Sequence, residues 1–467
     1  MTNGSAATIV ESSEQPFSNI KVADFSWVGV GPIVARHLAD FGATVVRVES
    51  STRPDTLRLA PPFREGKPGI DRSAFGTVYN TNKLGLGLNL RLPKARELAL
   101  RLVHWADVVT DSMTPGSLAR LGLGYEELRR VKPDIIMYST TQLGQTGPYR
   151  DFGGYGQHGA ALAGFHALTG WPDRPAAGLF GAYTDFVAPW FLYTALVAAL
   201  DYRDRTGEGQ YLDQSQVEAA LYMLGPQLVE YFDSGHAVSR SGNEDRELYP
   251  HGVFRCASHG GPWSEARWRA SQTLPRGPWQ PGSESTDQAS QGQPPRGGDK
   301  GDPALPSETS NDRWVAIAVR DNADWEALCR TIGREEWATA AELQTAEGRR
   351  AKAAEIDSAI SVWTAERRPH EAINALQSVG VPAGAVETCE ELFSDAQLLH
   401  RGHWWKLEHS VIGEHAYDAP AWKLSRTPAQ PRRSGPALGQ HTYEICRDIL
   451  GLEDAQIAAL SAEGVFE

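Results

Sequence analysis

Hydrophobic and polar positions in the first third of the chain alternate between short apolar runs and stretches with apolar residues every three to four positions. From Ile20, IKVADFSWVGVGP reads as a strand and a glycine-containing turn. IVARHLADFG then places Ile33, Val34, Leu38 and Phe41 on one helical face, Gly42 closes that helix, and ATVVRVES reads as a second strand. The alternation continues through strand LGLGLNL, helix KARELALRLVHWA, strand DVVTDSM, short helix SLARLGLG, helix YEELRRV and strand DIIMYSTT. Such strand–helix–strand repeats predict an α/β fold, a doubly wound parallel sheet up to Thr141.

Past a glycine-dense stretch over 142–180, Phe186 to Leu200 is apolar on nearly every side. This predicts a buried helix starting at or just after Asp185, with Pro189 in its first turn. Helix VEAALYMLGPQLVEYF follows Gln216, and the composition changes near Gly235. Residues 247–256 read as a strand entry, and 257–311, rich in Gly, Ser, Pro and Gln without apolar period, as a flexible insertion. Strand WVAIAV, helices NADWEALCRTIG, ELQTAEGRRAKAAEIDSAISVWTAE and HEAINALQSVG, strand PAGAV and helix CEELFSDA then predict a smaller α+β domain. A strand-rich return (WWKLEHSVIG, then Trp422-Lys423-Leu424), a Pro-rich linker over 427–437 and a terminal helical segment complete the chain. The expected organisation is a disordered tail over 1–16, a large domain over 17–230, a small domain over 247–400 and a return over 401–467.

Composition narrows the function. At 467 residues, with 41% hydrophobic and 22% charged residues, the chain reads as a soluble enzyme of two domains. A net charge of −13 argues against nucleic acid or an anionic membrane as the main partner, and leaves room for an anionic ligand in a local basic pocket. The Phe186–Leu200 run is short for a membrane span. Cys256, Cys329, Cys389 and Cys446 lie far apart, which argues against a metal cage or disulfide framework. The N-terminus lacks the basic start and apolar core of a signal peptide, so the expectation is a cytoplasmic protein.

Asp185 is the main candidate for chemistry. It reads either as an N-cap or as a nucleophilic carboxylate held ionised at the positive end of a helix. The turn Gly29-Val30-Gly31-Pro32, with Glu49 ending the next strand, superficially resembles a dinucleotide fingerprint. Val34 stands where its third glycine belongs, and Pro32 removes a phosphate-cradling N–H. The basic segment Ser50–Arg72 reads as a solvated loop or a phosphate site, and in the glycine-dense stretch Tyr155 and His158 carry side chains capable of chemistry.

Several strings together resemble family III CoA-transferases, which include formyl-CoA transferase, carnitine CoA-transferase and the α-methylacyl-CoA racemases. They are VADFSWVGVGPIVARHLADFGATVVRVES, NTNK, TPGSLARLGLGYEEL, GQTGPYRDFGGYG, TDF…RTGEGQYLDQS, HGVFRC and LGQHTYEICRDILGL, spread over nearly the whole chain. The resemblance implies that Asp185 attacks an acyl-CoA thioester, and that CoA then passes through an aspartyl-CoA thioester to an acceptor carboxylate. It implies CoA contacts at Val28, Gly29, Arg53, Tyr79, Asn80, Thr81, Asn82, Asp111, Ser112, Met113, Arg120, Gly154, Tyr155 and Gly156. Arg53, Lys83 and Arg120 would supply positive charge for the phosphates. It further implies a Rossmann-like large domain with a smaller one in an interlocked homodimer, or a heteromer with a paralogue, with the terminal helix returning to the large domain. Coenzyme A enters only as part of the substrates, with no other cofactor and no metal.

Departures from the family pattern bear on substrate. Formyl-CoA transferase has Gln where this chain has Gly29, Asn-Phe where it has Asp111-Ser112, and often Arg where it has Leu84, which puts formyl and oxalyl substrates in doubt. TGWPDRP…GAYTDF is similar to the branch acting on aromatic succinates, and fourteen Trp residues would suit an aromatic pocket. The acceptor is therefore expected to be an aromatic or dicarboxylic acid. Racemases of the family carry a catalytic His about where Tyr155 stands, which favours transfer, while the nearby His158 keeps an acyl-CoA racemase or isomerase as an alternative. A nicotinamide-dependent dehydrogenase and a non-catalytic CoA-binding subunit are the other readings.

Overall fold

The computed structural model of the protein describes residues 15–258 and 312–467. The N-terminal tail and nearly all of the insertion expected over 257–311 lie outside the described residues. The chain forms two compact units, one from residues up to Arg240 together with Leu392–Glu467, the other Ser241–Glu391.

In the larger unit, β1 (Lys21–Asp24) leads to α1 (Val30–Asp40) and β2 (Thr44–Glu49). Next come β3 (Leu84–Gly87), α2 (Pro93–Trp105), β4 (Val108–Asp111), α3 (Tyr125–Val131) and β5 (Ile136–Thr141). After α4 (Gly156–Leu162) and α5 (Tyr183–Thr206), β6 (Tyr211–Ser215) joins the sheet, followed by α6 (Gln216–Leu221) and α7 (Gly225–Ser234). The strand order is β3-β2-β1-β4-β5-β6, all parallel, the arrangement of a Rossmann-like fold. β6 is absent from the sequence reading because YLDQS carries Asp213 and Gln214 and lacks the apolar run of the inner strands; it is an edge strand paired on one side only.

Each sheet face carries its own apolar layer. Val30, Val34, Ala35 and Leu38 of α1 meet Ala188, Leu192, Leu196 and Ala199 of α5 on one face. On the other, Leu98, Leu102 and Val103 of α2 pack with Ile445, Cys446, Leu450 and Ile457 from the chain's end. The terminal segment thus closes this core, and Asn89 donates its amide to Val465 O at 2.9 Å.

α5 departs from expectation in three ways, one being that Pro189 lies inside the helix, beyond its first turn. It begins at Tyr183 and runs 24 residues, so it is longer than the apolar run, and by length and composition alone could cross a membrane. Its inner face belongs to the core, yet Phe186, Trp190 and Val197 on the rest of its surface are about 40% exposed, so it is not buried all round. α7 buries no residue at all, leaving Leu228, Val229, Tyr231 and Phe232 in solvent.

In the smaller unit, β7 (His251–Cys256), β8 (Arg313–Ala318) and β9 (Ala383–Ala385) form an antiparallel sheet. Helices α8 (Asn322–Thr331), α9 (Ala353–Ala365) and α10 (Pro369–Gln377) surround a core that includes Val315, Ile317, Trp325, Ile360 and Leu376. The long helix expected over ELQTAEGRRAKAAEIDSAISVWTAE is broken into a 3-10 turn, a short helix Ala346–Ala351 and α9.

The return begins at Leu392, before the boundary read at 401, and contains the hairpin β10 (Trp404–His409) and β11 (Gly413–Asp418). Trp422-Lys423-Leu424 forms no strand; the Trp422 ring instead stacks on His37 and Phe41, with centroids at 5.2 and 6.0 Å. The Pro-rich segment is tied to the large unit rather than free. Asn82 Oδ1 accepts from the amides of Arg432 (2.8 Å) and Arg433 (3.0 Å), and its Nδ2 donates to Gln430 O (2.9 Å).

Candidate active site

The strand order reverses between β1 and β4, and in such sheets ligands bind beyond the carboxyl ends of the strands at that point. A cleft of about 120 Å³ lies there. Trp27, Val28 and Gly29 after β1, Ser112 and Met113 after β4, and Gln142 after β5 line it. Arg150, Phe152, Gly154, Tyr155, Asp185 and Gln216 complete the wall. Of the residues singled out in the sequence, Val28, Gly29, Ser112, Met113, Gly154, Tyr155 and Asp185 therefore share one cavity.

Asp185 is not the N-cap of α5; that position is Ala182, and Asp185 sits in the first turn. Its carboxylate is only 9% exposed, and its single hydrogen bond among the described residues comes from Gly156 N–H to Oδ2 at 3.3 Å. Glycine is required at 156, because a Cβ there would lie 2.7 Å from the Ala182 backbone. Burial pushes the Asp185 pKa up to about 6, and the Gly156 amide only partly opposes that. A carboxyl group with this pKa is ionised at neutral pH but poorly solvated, which suits a nucleophile.

The turn after β1 is held by a buried ionic network. Val28 adopts φ = 62°, unusual for a β-branched residue, and its N–H donates to Asp55 Oδ2 at 3.0 Å. Asp55 accepts from Arg47 at 2.6 Å, and Arg47 also pairs with Glu49 at 3.0 Å. Glu49 is further bound by Arg58 at 2.6 Å, so the ribose acceptor imagined for a dinucleotide is consumed by two arginines. This removes the sequence basis for the dehydrogenase reading. It also corrects the phosphate-site reading at Arg58, which is 3% exposed and spends its charge on Glu49 and Asp71.

Lys83 requires the same correction. It is fully buried, its Nζ lies 2.7 Å from Asp24, and it also donates to Pro32 O and Asn80 Oδ1, both at 2.9 Å. Burial lowers its pKa to about 8, opposed by Asp24. Burial alone would raise the Asp24 pKa, but Lys83 and Arg47 hold it at about 2. The Lys83 charge is spent inside the fold and is not offered to a ligand. Asn80, Thr81 and Asn82 are likewise buried, with Asn80 bound to Gly76 O and Thr81 and Asn82 to Asp40. Tyr79 stands nearer the cleft, its ring 6.4 Å from that of Phe186, the residue after Asp185.

A second cavity opens beside the first and shares Trp27 and Met113 with it. The Arg53 guanidinium lies over the Trp27 ring, 5.2 Å from its centroid, and lines this cavity with Leu88 and Leu90. Arg120 is exposed and donates to Ser117 Oγ at 3.0 Å. Asp111 is buried, accepts from the Met113 amide at 2.8 Å and from Ser139 at 3.2 Å, and has a pKa raised to about 6 by burial. Ser112 Oγ bonds both the N–H and the carbonyl of Trp27 at 2.7 Å, joining the β4 and β1 loops.

His158 is exposed, does not line the cleft, and its Nδ1 accepts from the Tyr155 amide at 3.2 Å. Trp27 is the single tryptophan among the described residues that line the cleft, so the abundance of Trp is not concentrated there. Sequence reasoning missed Gln142, Gln216 and Arg150. Gln142 was signalled only by its place directly after a strand, and Gln216 only by its place after the turn that ends at Gln210.

Comparison with known proteins identifies the family. The family model for CoA-transferase family III matches residues 17–263 and 280–442. The chain is 29% identical to succinyl-CoA–D-citramalate CoA-transferase of Chloroflexus aurantiacus, over 97% of this chain and 98% of that one. It is 28% identical to succinate–glutarate CoA-transferase of Agrobacterium fabrum, over 96% and 98%. Among solved structures, a CAIB/BAIF family protein from Brucella suis matches with a TM-score of 0.74 and 26% identity, over 93% of this chain and all of that one. A Rossmann-like sheet, a buried carboxylate at its switch point and a family match along most of the sequence lead to one conclusion: the chain belongs to CoA-transferase family III, and is an enzyme that moves CoA from an acyl-CoA to a carboxylic acid.

Proposed function

We propose that Asp185 is the nucleophile and that the enzyme moves CoA between a short dicarboxylic acyl-CoA of the succinyl class and a small carboxylic acid. The observation that carries this reading is the buried Asp185 carboxylate in the switch-point cleft, with a single backbone donor and no cation paired with it among the described residues. An Asp185 oxygen attacks the thioester carbon, and the carbonyl pair moves to oxygen and returns as the C–S bond breaks, leaving an acyl-aspartyl anhydride and CoA thiolate. The thiolate attacks the Asp185 carbonyl and releases the donor acid as its carboxylate. The acceptor carboxylate attacks the resulting aspartyl-CoA, and CoA thiolate then attacks the acceptor's acyl carbon, which frees Asp185. Each step balances without a proton donor, a metal or a cofactor beyond CoA. The glycine-dense wall and the burial of Asp185 keep water from the anhydrides.

The dicarboxylic class is supported by the names of the relatives described above, and by Arg150, the cation among the described residues lining the cleft. The CoA nucleotide fits the second cavity, where the Arg53–Trp27 pair offers a cation and a ring face. The bare apolar surfaces of α5 and α7 support a homodimer; light scattering of the purified chain tests that, and activity of the chain alone tests the need for a paralogue. A cytoplasmic location fits the four free cysteines.

The test is mass spectrometry after incubation with succinyl-CoA in the absence of acceptor. A CoA adduct on the peptide containing Asp185 is expected. An unmodified peptide, or an Asp185→Asn variant that still transfers CoA, overturns the assignment.

A further inference from the structure

Two glutamines beside Asp185 are unused in the steps above. Gln142 and Gln216 are each only 8% exposed, and both line the cleft. Gln142 Nε2 donates to Gln216 Oε1 at 2.6 Å, and Thr184 Oγ1, from the residue immediately before Asp185, has one proton within reach of both that oxygen at 3.3 Å and Gly156 O at 3.2 Å. The short bond from Gln142 fixes the orientation of the Gln216 carbonyl. The Gln216 Nε2 amino group makes no hydrogen bond to a described residue, and its side chain lines the cleft. Nearby, Gln142 Oε1 and Thr141 Oγ1 are enclosed and find no hydrogen-bond partner among the described residues. Buried polar atoms left unpaired together mark a place where ligand atoms belong.

We propose that Gln216 is a catalytic residue whose amide donates a hydrogen bond to the acyl oxygen at Asp185 during each attack, with Gln142 and Thr184 as positioning residues. This rests on Asp185 being the nucleophile. When its oxygen bonds to the thioester carbon, the carbonyl pair becomes an oxyanion next to a carboxylate that pairs with no cation among the described residues, and a fixed donor stabilises that charge. No proton moves; the pair returns to carbon as CoA leaves as thiolate. A neutral amide suits this position better than Lys or Arg, because a cation there would pair with Asp185 and blunt its attack. Gln216 makes no hydrogen bond to Asp185, so its donor is free for the acyl oxygen.

The experiment follows the rate at which succinyl-CoA forms the Asp185 adduct, in single turnover with the full chain. Gln216→Leu is expected to slow it on the order of 100-fold, with CoA affinity within about twofold of wild type. Gln216→Glu keeps an oxygen for Gln142 and Thr184 but loses the donor, and is expected to show the same loss if Gln216→Leu does not fold. A folded Gln216→Glu or Gln216→Leu protein with the wild-type rate overturns the proposal. If Gln142 acts through Gln216, Gln142→Met slows the reaction in the wild type but adds nothing in the Gln216→Leu background; multiplied losses overturn the positioning role. Absence of adduct in wild type overturns the Asp185 reading and this one with it, whereas a wild-type adduct formed equally fast by Gln216→Leu overturns this one alone.

Discussion

The Gly156 amide reaches Asp185 Oδ2 across 3.3 Å, and among the described residues it is the sole hydrogen bond to that carboxylate. Everything else about Asp185 follows from burial: it is desolvated, faces a cleft, and is neither neutralised by a cation nor tied into the ionic network that fills the neighbouring turn.

The first prediction concerns the rate. With a pKa of about 6, Asp185 loses its nucleophilic form as pH falls. The kcat/KM for acyl-CoA should rise tenfold per pH unit below about 6 and level off above it. A profile flat between pH 5 and 7 would count against Asp185 as the attacking group.

The same burial predicts a stability effect. A carboxyl whose pKa is about 6 when folded and 3.8 when unfolded holds its proton more tightly in the folded state. Ionisation therefore erodes stability as pH rises from about 4 to about 6, and the cost stays constant above that. Asp185→Asn removes the charge and should gain on the order of 2–3 kcal/mol at pH 7 and nearly nothing at pH 3.5, read by denaturant titration at both values.

Gly29 predicts a local effect on catalysis. A Cβ there would lie 3.2 Å from the Asp185 Cβ, so the nucleophile must shift by a few tenths of an ångström. Gly29→Ala should lower kcat by roughly tenfold while the melting temperature changes little, since small misplacements at a reacting centre are costly. An unchanged kcat would show that Asp185 has more latitude than its packing implies.

Lys83 separates structural from ligand charge. Lys83→Met leaves Asp24 buried with Arg47 3.7 Å away as its remaining cation, and should cost about 3–5 kcal/mol of stability. The protein that remains folded should keep its CoA affinity, measured by calorimetry. A loss of affinity without a loss of stability would return Lys83 to the binding site.

For the second cavity, Arg53→Gln removes a cation stacked on Trp27. CoA binding should weaken by roughly three- to tenfold, the range for one exposed charge and ring contact, with kcat nearly unchanged.

Local pattern along the chain determined the parallel sheet and the helix behind Asp185, because apolar period and turn residues are written within a few positions of one another, whereas the return of the terminal segment followed only from the family resemblance. It could not find β6, whose polar residues pair along a sheet edge, or the broken helix before α9, since neither carries the expected apolar period. The fate of charges was equally hidden. Lys83 reads as a cation for phosphate until the fold brings Asp24, 59 positions away, to within 2.7 Å of it. The Gln142–Gln216 pair spans 74 positions and exists only because β5 and β6 lie side by side. Which carboxylate is left without a cation, and which amide is left without a partner, are outcomes of burial and long-range contact. The residue types were present in the sequence, but only tertiary structure decided which of them remain available for chemistry.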